Sequence, residues 1–300
     1  MEVNQIEAFL AVFAAHGFSR AATILHLSQP AISRRISLLE EELGITLFER
    51  IHHGIILTEA GQTFLPFAQR VVSTIRDGVA AVQSLQQHEH GTIDLAIVGT
   101  LASTSLTTKL LTFRETYPDV KLRLRTARSN EVSNLVRAGE VHLGLRYFPD
   151  SDASLISRNI DQEELVVVCS PHNYLVTAAS VTMDDLHALP WITFPVGVGD
   201  SGEPFTDLLY RLLAQNNLTD VEIVTIDSLT AQKRLIEADF GVGILPFSSI
   251  HEEQKLGSLH ILDVPQLHAS VPISVVHRRD GYLSKAAVSL LHQLTISSSQ

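Results

Sequence analysis

Cysteine is nearly absent: the 300 residues hold one, Cys169. That excludes a disulfide framework and a cysteine-based zinc site. Two methionines are too few to suggest a methionine-oxidation sensor. No apolar run reaches the roughly eighteen residues that a membrane span needs. The N-terminus, Met1-Glu2-Val3-Asn4-Gln5, offers no basic segment ahead of an apolar core, so no export signal is expected and a cytoplasmic location follows. Positive charge is scarce too. Lys and Arg number 22 against 33 Asp and Glu, a formal net charge of −11, and residues 1–60 carry four arginines against seven glutamates. A broad positive field for indiscriminate nucleic-acid binding is excluded, so any DNA contact must come from a few well-placed groups. What remains is ordinary: 45% apolar and 18% charged residues, enough for two or three compact units.

Ile6, Phe9, Leu10 and Phe13 recur at i, i+3, i+4 and i+7, predicting an amphipathic helix that Gly17 ends. Ser19 is expected to cap a second short helix through Leu25. A third follows, with Ser28 as N-cap and Pro30 in the first turn, where its missing N–H costs nothing. Ile32, Ile36, Leu39 and Leu43 form its buried stripe, and Gly44 closes it. Pro30, Ser33, Arg34 and Ser37 fall on the opposite side. Two short helices before one with a polar, Arg-bearing outer face is the pattern of a helix-turn-helix. Leu47–Arg50 and Gly54–Leu57, turning at His52-His53-Gly54, read as the strands of a wing. Thr58 caps a long helix in which Phe64, Ala68, Val71, Ile75, Gly78, Val82 and Leu85 make a coiled-coil seam of about three heptads. Pro66 is expected to kink this rod near its start.

Ala21-Ala22, Leu27-Ser28-Gln29-Pro30-Ala31-Ile32-Ser33, Leu39-Glu40, Leu43-Gly44, Leu47-Phe48, Arg50 and Leu57-Thr58-Glu59-Ala60-Gly61 resemble, spacing by spacing, the N-terminal signature of the LysR-type transcriptional regulators. The resemblance runs over residues 1–90. It implies a winged helix-turn-helix over 1–60, a dimerising linker helix over 58–90, and an α/β effector-binding domain over 91–300 whose two lobes are similar to periplasmic binding proteins. It also implies double-stranded operator DNA, a small-molecule effector, further copies of the chain in a dimer of dimers, and RNA polymerase as partners. Carried over residue by residue, Ser28, Gln29, Pro30, Ser33 and Arg34 would meet bases and backbone in the major groove. Arg50 and the wing, with His52 and His53, would lie at phosphates or the minor groove. Ser28 and Pro30 serve helix initiation as readily as DNA contact. Where relatives often carry Arg or Lys, this wing has two histidines, which titrate near neutrality.

Beyond Gly91 the pattern alternates. Thr92–Val98, Val120–Arg125 and Val141–Leu145 read as strands, separated by helices at Ser103–Thr116 and Asn130–Ala138, and this order predicts a mainly parallel sheet. A similar order recurs: strands Leu165–Val168, Trp191–Phe194, Val221–Ile226 and Val242–Leu245, helices Glu203–Ala214 and Leu229–Ala238. The strand Val271–His277 and helix Leu283–Leu294 are expected to return to the first unit. Two lobes result, lobe I (91–161 and 267–300) and lobe II (162–266), with crossovers near 161 and 266. A cleft between them at the strand C-terminal ends is where a ligand belongs. Its candidate lining is Thr100, Ser103, Ser129, Asn130, Arg146, Thr193 and Ser228, although each hydroxyl reads equally as a helix cap. Arg146 with neutral donors and no nearby acid points to an anionic effector. The alternative is an Arg146 paired with Asp150 or Asp152.

Other motifs point elsewhere and carry less. Gly197-Val198-Gly199-Asp200-Ser201-Gly202 fits G-x-G-x-x-G and contains Gly-Asp-Ser-Gly, but it stands in the middle of the second lobe instead of an opening βα turn. A serine protease would need His and Asp partners on a β-barrel. Cys169 reads as a buried small hydrophobe. The fourteen histidines include no helical i, i+4 pair with carboxylate support, and His88-Glu89-His90 reads as a hinge, so neither metal nor cofactor is expected. A solute-binding protein shares the C-terminal architecture but not the fused winged helix. An enzyme would need an acid–base pair or a nucleophile with a placed partner, and none is evident. The reading is a transcription regulator.

Overall fold

The computed structural model describes residues 1–51, 54–86, 91–103, 106–196 and 203–296. Helices α1 (Val3–Ala15), α2 (Phe18–Ile24) and α3 (Gln29–Leu43) form the first unit. Ser28 caps α3, its Oγ accepting from Ala31 N at 3.3 Å. Gly17, not Ser19, is the N-cap of α2. The chain leaves α1 through a left-handed His16 (φ 48°), so the next helix restarts early and Ser19 lies inside it. Ile32, Ile36 and Leu39 are buried, but Leu43 is 40% exposed. One turn before Leu43 the helix is committed to the next element: Glu40 Oε1 accepts from Leu47 N at 2.7 Å and Phe48 N at 3.3 Å. That contact sets the start of β1 (Phe48–Ile51), which pairs antiparallel with β2 (Gly54–Leu57). Phe9, fully buried, packs its ring 5.2 Å from both Phe48 and Phe64. Truncating such a residue costs about 3–5 kcal/mol.

Thr58 caps α4 (Glu59–Gln86), its Oγ1 accepting from Gly61 N at 3.0 Å and donating to Thr46 O at 2.7 Å. A Cβ at Gly61 would collide with the carbonyl of Leu47, so only glycine lets the rod lie this close to the wing. The helix runs through Pro66 for 28 residues, roughly 42 Å at 1.5 Å per residue. Its apolar residues divide in two. Phe64, Ala68 and Val72 pack into the core of the first unit. Phe67, Val71, Ile75, Val79 and Val82 are exposed. The expected seam is thereby corrected: Phe64 and Ala68 serve the intramolecular core, and the free stripe runs one position around from them.

The remaining strands are β3 (Gly91–Val98), β4 (Val120–Ala127), β5 (Leu143–Tyr147), β6 (Leu155–Cys169), β7 (Trp191–Thr193), β8 (Ile223–Thr225), β9 (Gly243–Pro246), β10 (His260–Leu262) and β11 (Ala269–Arg278). The helices are α5 (Leu106–Thr116), α6 (Ser129–Arg137), α7 (Met183–His187), α8 (Pro204–Gln215), α9 (Leu229–Glu237), α10 (Phe247–Leu256) and α11 (Lys285–Thr295). Strands β4, β3 and β5 are parallel. β11 runs antiparallel to β5, and β6 antiparallel to β11 from Leu155 to Leu165. The second half of β6 then pairs with β9 and β10, both antiparallel. A mainly parallel sheet was expected; it is mixed, because β6 and β11 cross between the halves and the returning strand must reverse. Parallel β7 and β8 bridge to the strand system at Trp191 and Val242. Among the described residues no helix is long and apolar enough to cross a membrane.

Candidate functional site

Packing α1 and α2 against the apolar stripe of α3 turns its polar side outward. Ser28, Gln29, Pro30 and Arg34 are exposed and Ser33 is half-buried. Gln29 Nε2 donates to Ser33 Oγ at 2.9 Å, which holds the amide over the first turn. The Arg34 guanidinium has no partner among the described residues. Arg35, by contrast, is tied inward, with Nη1 3.4 Å from Asn4 O. Arg50 on β1 is exposed, its guanidinium 6.0 Å from the Phe18 ring. His52 and His53 lie outside the described residues. A helix N-terminus carrying Gln and Arg on an open face can hold phosphate through its N–H groups and read adenine and guanine edges.

The second site is a cavity of about 290 Å³. The 3₁₀ turn after β3, the end of β4 and the start of α6 supply Thr100, Ala127, Arg128 and Glu131; the other half supplies Phe194, Glu203, Phe205, Asp227 and Leu229. Phe205 joins the two sides. Its ring stacks on Tyr147 at 4.7 Å and meets Phe194 edge-on at 6.0 Å. Thr100 Oγ1 lies 2.9 Å from the Tyr147 hydroxyl, and burial pushes that phenol far above its usual pKa. Glu203, the residue before α8, reaches across to α6. Its carboxylate accepts from Ser129 N at 3.0 Å and Asn130 N at 3.4 Å.

The predicted lining residues have different fates. Thr100 lines the cavity. Ser129 is fully buried and Thr193 is 5% exposed, and neither hydroxyl has a partner among the described residues. Asn130 presents its backbone to Glu203 and its Oδ1 to Arg146. Ser228 caps α9, accepting from Ala231 N at 3.4 Å. Ser103 ends a short 3₁₀ turn, and its side chain lies outside what is described, as does the stretch Gly197–Gly202. Arg146 corrects the expectation of a positive charge without an acid. It is 3% exposed, does not line the cavity, and its Nη1 lies 2.6 Å from Asp150 Oδ2. The donors expected to receive an anion at α6 are already taken by Glu203.

The sequence reading passed over Glu203, Arg128, Glu131, Asp227 and Phe205. Glu203 had a signal, an acid directly ahead of Pro204 at a helix start, but a search for anion donors ignores acids. Cys169 is fully buried, and burial pushes its thiol up to about 12, too high for a reactive thiolate. No three His, Cys, Asp or Glu among the described residues are grouped to hold a metal ion.

Two family models match this architecture. Residues 3–62 match the bacterial regulatory helix-turn-helix protein of the lysR family, and residues 86–296 match the LysR substrate binding domain. The chain belongs to the LysR family. This LysR-type regulator is 27% identical over 302 residues to the HTH-type transcriptional regulator ClcR of Pseudomonas putida, covering 100% of each chain. It is 27% identical over 294 residues to the HTH-type transcriptional regulator CfxR of Cupriavidus necator, covering 96% of this chain and 89% of that one. Among solved structures it is similar to full-length CbnR complexed with its target DNA: 26% identity, TM-score 0.63, 98% of this chain and 99% of that one. The LysR-type regulator therefore combines a DNA-binding helix-turn-helix with an effector-binding domain, and it is a transcription factor, not an enzyme.

Proposed function

We propose that this LysR-type regulator acts in the cytoplasm as a dimer of dimers on a partly palindromic operator, with RNA polymerase as its downstream partner. Gln29 and Arg34, assisted by Ser28, Pro30 and Ser33, read the major groove, while Arg50, His52 and His53 lie at phosphates or the minor groove. One observation carries this reading: the outer face of α3 is exposed and polar, and Arg34 has no partner on its own chain among the described residues. The free stripe Phe67, Val71, Ile75, Val79 and Val82 supports self-association along α4. The similar CbnR, solved on its target DNA, supports operator binding. The working division is a DNA-binding unit over 1–60, a linker over 58–90, and lobes I (91–161, 267–300) and II (162–266). An effector in the cavity changes the angle between the lobes and so repositions the DNA-reading pairs.

The test is selection of an operator from a random duplex pool, then competition gel shifts at physiological salt. Gln29→Ala and Arg34→Ala should each lose about 1–3 kcal/mol of discrimination between operator and random DNA. Unchanged preference in both variants would show that α3 does not read the operator.

A further inference from the structure

The cavity walls carry one sign of charge in excess. Glu131, Glu203 and Asp227 line it, with Arg128 the one cation among the described lining residues. The side chains of Glu131, Asp227 and Arg128 have no partners among the described residues. Glu203 is engaged across the cleft with Ser129 N and Asn130 N. The start of α6, which could seat an incoming carboxylate, is thus filled by the chain's own, and the start of α9 on the opposite wall is capped by Ser228 and carries the Asp227 carboxylate beside it. Apolar surface makes up the rest, with Phe205 and Phe194 meeting edge to face. Two buried hydroxyls beside it, Ser129 Oγ and Thr193 Oγ1, are unpartnered among the described residues; each adjoins a lining residue, Arg128 and Phe194.

We propose that the effector is a small cationic amphiphile, an amine or guanidine on an apolar body of about one ring, and that Glu203 is a built-in carboxylate that excludes anionic effectors. The proposal rests on the reading that this cavity is the effector site. A cation gains from the Glu131 and Asp227 carboxylates while its body packs on Phe194 and Phe205, whose ring faces attract positive charge. A carboxylate meets the same acids as like charges and finds the α6 donors occupied. At about 290 Å³ the cavity sits at the small end of ligand sites, which favours one ring over two.

Three probes with a common ring separate the charge classes: phenethylamine, 2-phenylethanol and phenylacetate, titrated by calorimetry into the full-length protein. Wild type should bind the amine at least about tenfold more tightly than the acid, with the alcohol between. Glu203→Ala, which frees Ser129 N and Asn130 N, should weaken the amine and strengthen phenylacetate by about tenfold or more. Ala127→Trp and, from the opposite wall, Leu229→Trp fill the cavity and should abolish binding, their folding verified by circular dichroism. Phenylacetate bound by wild type as tightly as the amine, or no gain in Glu203→Ala, overturns the charge class. If that acid binding disappears in the filled variants, the cavity reading survives the loss. Amine binding that persists in both filled variants overturns the cavity reading itself. No amine binding to wild type overturns the proposal.

Discussion

Arg278 Nη2, at the end of β11, donates to Asp77 Oδ1 on α4 at 2.7 Å, and both side chains are largely buried. One turn earlier on the rod, Ser73 is 1% exposed. It lies against Gly139, where an added Cβ would come within 2.5 Å of the Ser73 Cβ. Gly139 follows α6, whose other end meets Glu203 at the cavity. The linker is therefore keyed to the foot of the same helix whose head faces the cleft, a contiguous path from ligand to rod.

Breaking that key should be measurable. Arg278→Ala leaves Asp77 largely buried without its partner, at a cost of about 1–3 kcal/mol, between the limits for exposed and buried pairs. Gly139→Val adds a clash with Ser73 and forces a β-branched residue to a φ of +67°. Hydrogen exchange in α4 around residues 73–77 should rise in both variants. Wild-type protection in Gly139→Val would mean that the rod is not seated there.

The free face of α4 makes a second claim. Val71→Glu with Ile75→Glu would bury unpaired charge in a dimer, so sedimentation should show a smaller species with weak operator affinity. Both residues are exposed in the single chain, so the fold of each chain should survive. Ala68→Glu is the contrast, because Ala68 is fully buried in the DNA-binding core and its substitution should unfold that unit. A double variant that keeps its oligomer would rule the stripe out as the dimer surface.

Local signals carried most of this fold. The Ser28 cap, Pro30, the Thr58 cap and the apolar periods of α1 and α3 depend on neighbours a few residues away, and those are visible in sequence. The seam of α4 was misread at Phe64 and Ala68 because two apolar faces, one intramolecular and one free, share a helix with nearly the same period. The length of β6 was also missed. Arg158, Asn159, Asp161 and Gln162 look like a polar loop, yet they pair with β11 as the crossover between the halves. The cleft was legible as a place but not in its charge. Glu203 meets Ser129 across 74 residues, and no local pattern reports that distance.

Two histidines, His142 half-buried and His277 buried, make stability depend on pH. His142 Nδ1 accepts from Asp94 N at 3.0 Å, which requires that nitrogen to be unprotonated. Burial holds its pKa below the ordinary value and prevails over the Asp94 carboxylate 3.7 Å away, which pulls the other way. His277 is also held low, first by burial, and its Nε2 has no partner among the described residues. The unfolded chain therefore takes up protons first, at about pH 6.5. Stability from these groups is complete above that value and is lost as pH falls through it toward the folded pKa values. Urea midpoints measured from pH 8 down to about 5 should fall in wild type and flatten in His142→Gln with His277→Gln. A wild-type midpoint that rises on acidification, or an equal slope in the double variant, would contradict this.

Arg146 belongs to the architecture and not to the ligand. Its Nη1 donates to Asp150 Oδ2 at 2.6 Å and Ser133 Oγ at 2.5 Å, Nε to Tyr147 O at 3.2 Å, and Nη2 to Asn130 Oδ1 at 3.4 Å. Burial works against the Asp150 charge. The Ser133 hydrogen bond, the Asp152 backbone and the Arg146 and Arg137 charges outweigh it and hold the carboxyl below its usual range. Its contribution is thus present above about pH 4 and lost as pH falls through the lowered folded value. Removing Arg146 leaves Asp150 with the longer Arg137 contact at 3.5 Å as its remaining ion pair, so Arg146→Met should cost about 3 kcal/mol, the lower end for a broken buried pair. Adding Asp150→Asn removes the under-compensated charge and should recover at least about 1 kcal/mol, the coupling expected of residues that share one ion-pair network. Calorimetry separates this role from ligand binding. If Arg146 were an effector clamp, Arg146→Met would lose ligand affinity while keeping its urea midpoint. A structural Arg146 gives the reverse, a lowered midpoint with phenethylamine affinity unchanged at a temperature where the variant remains folded.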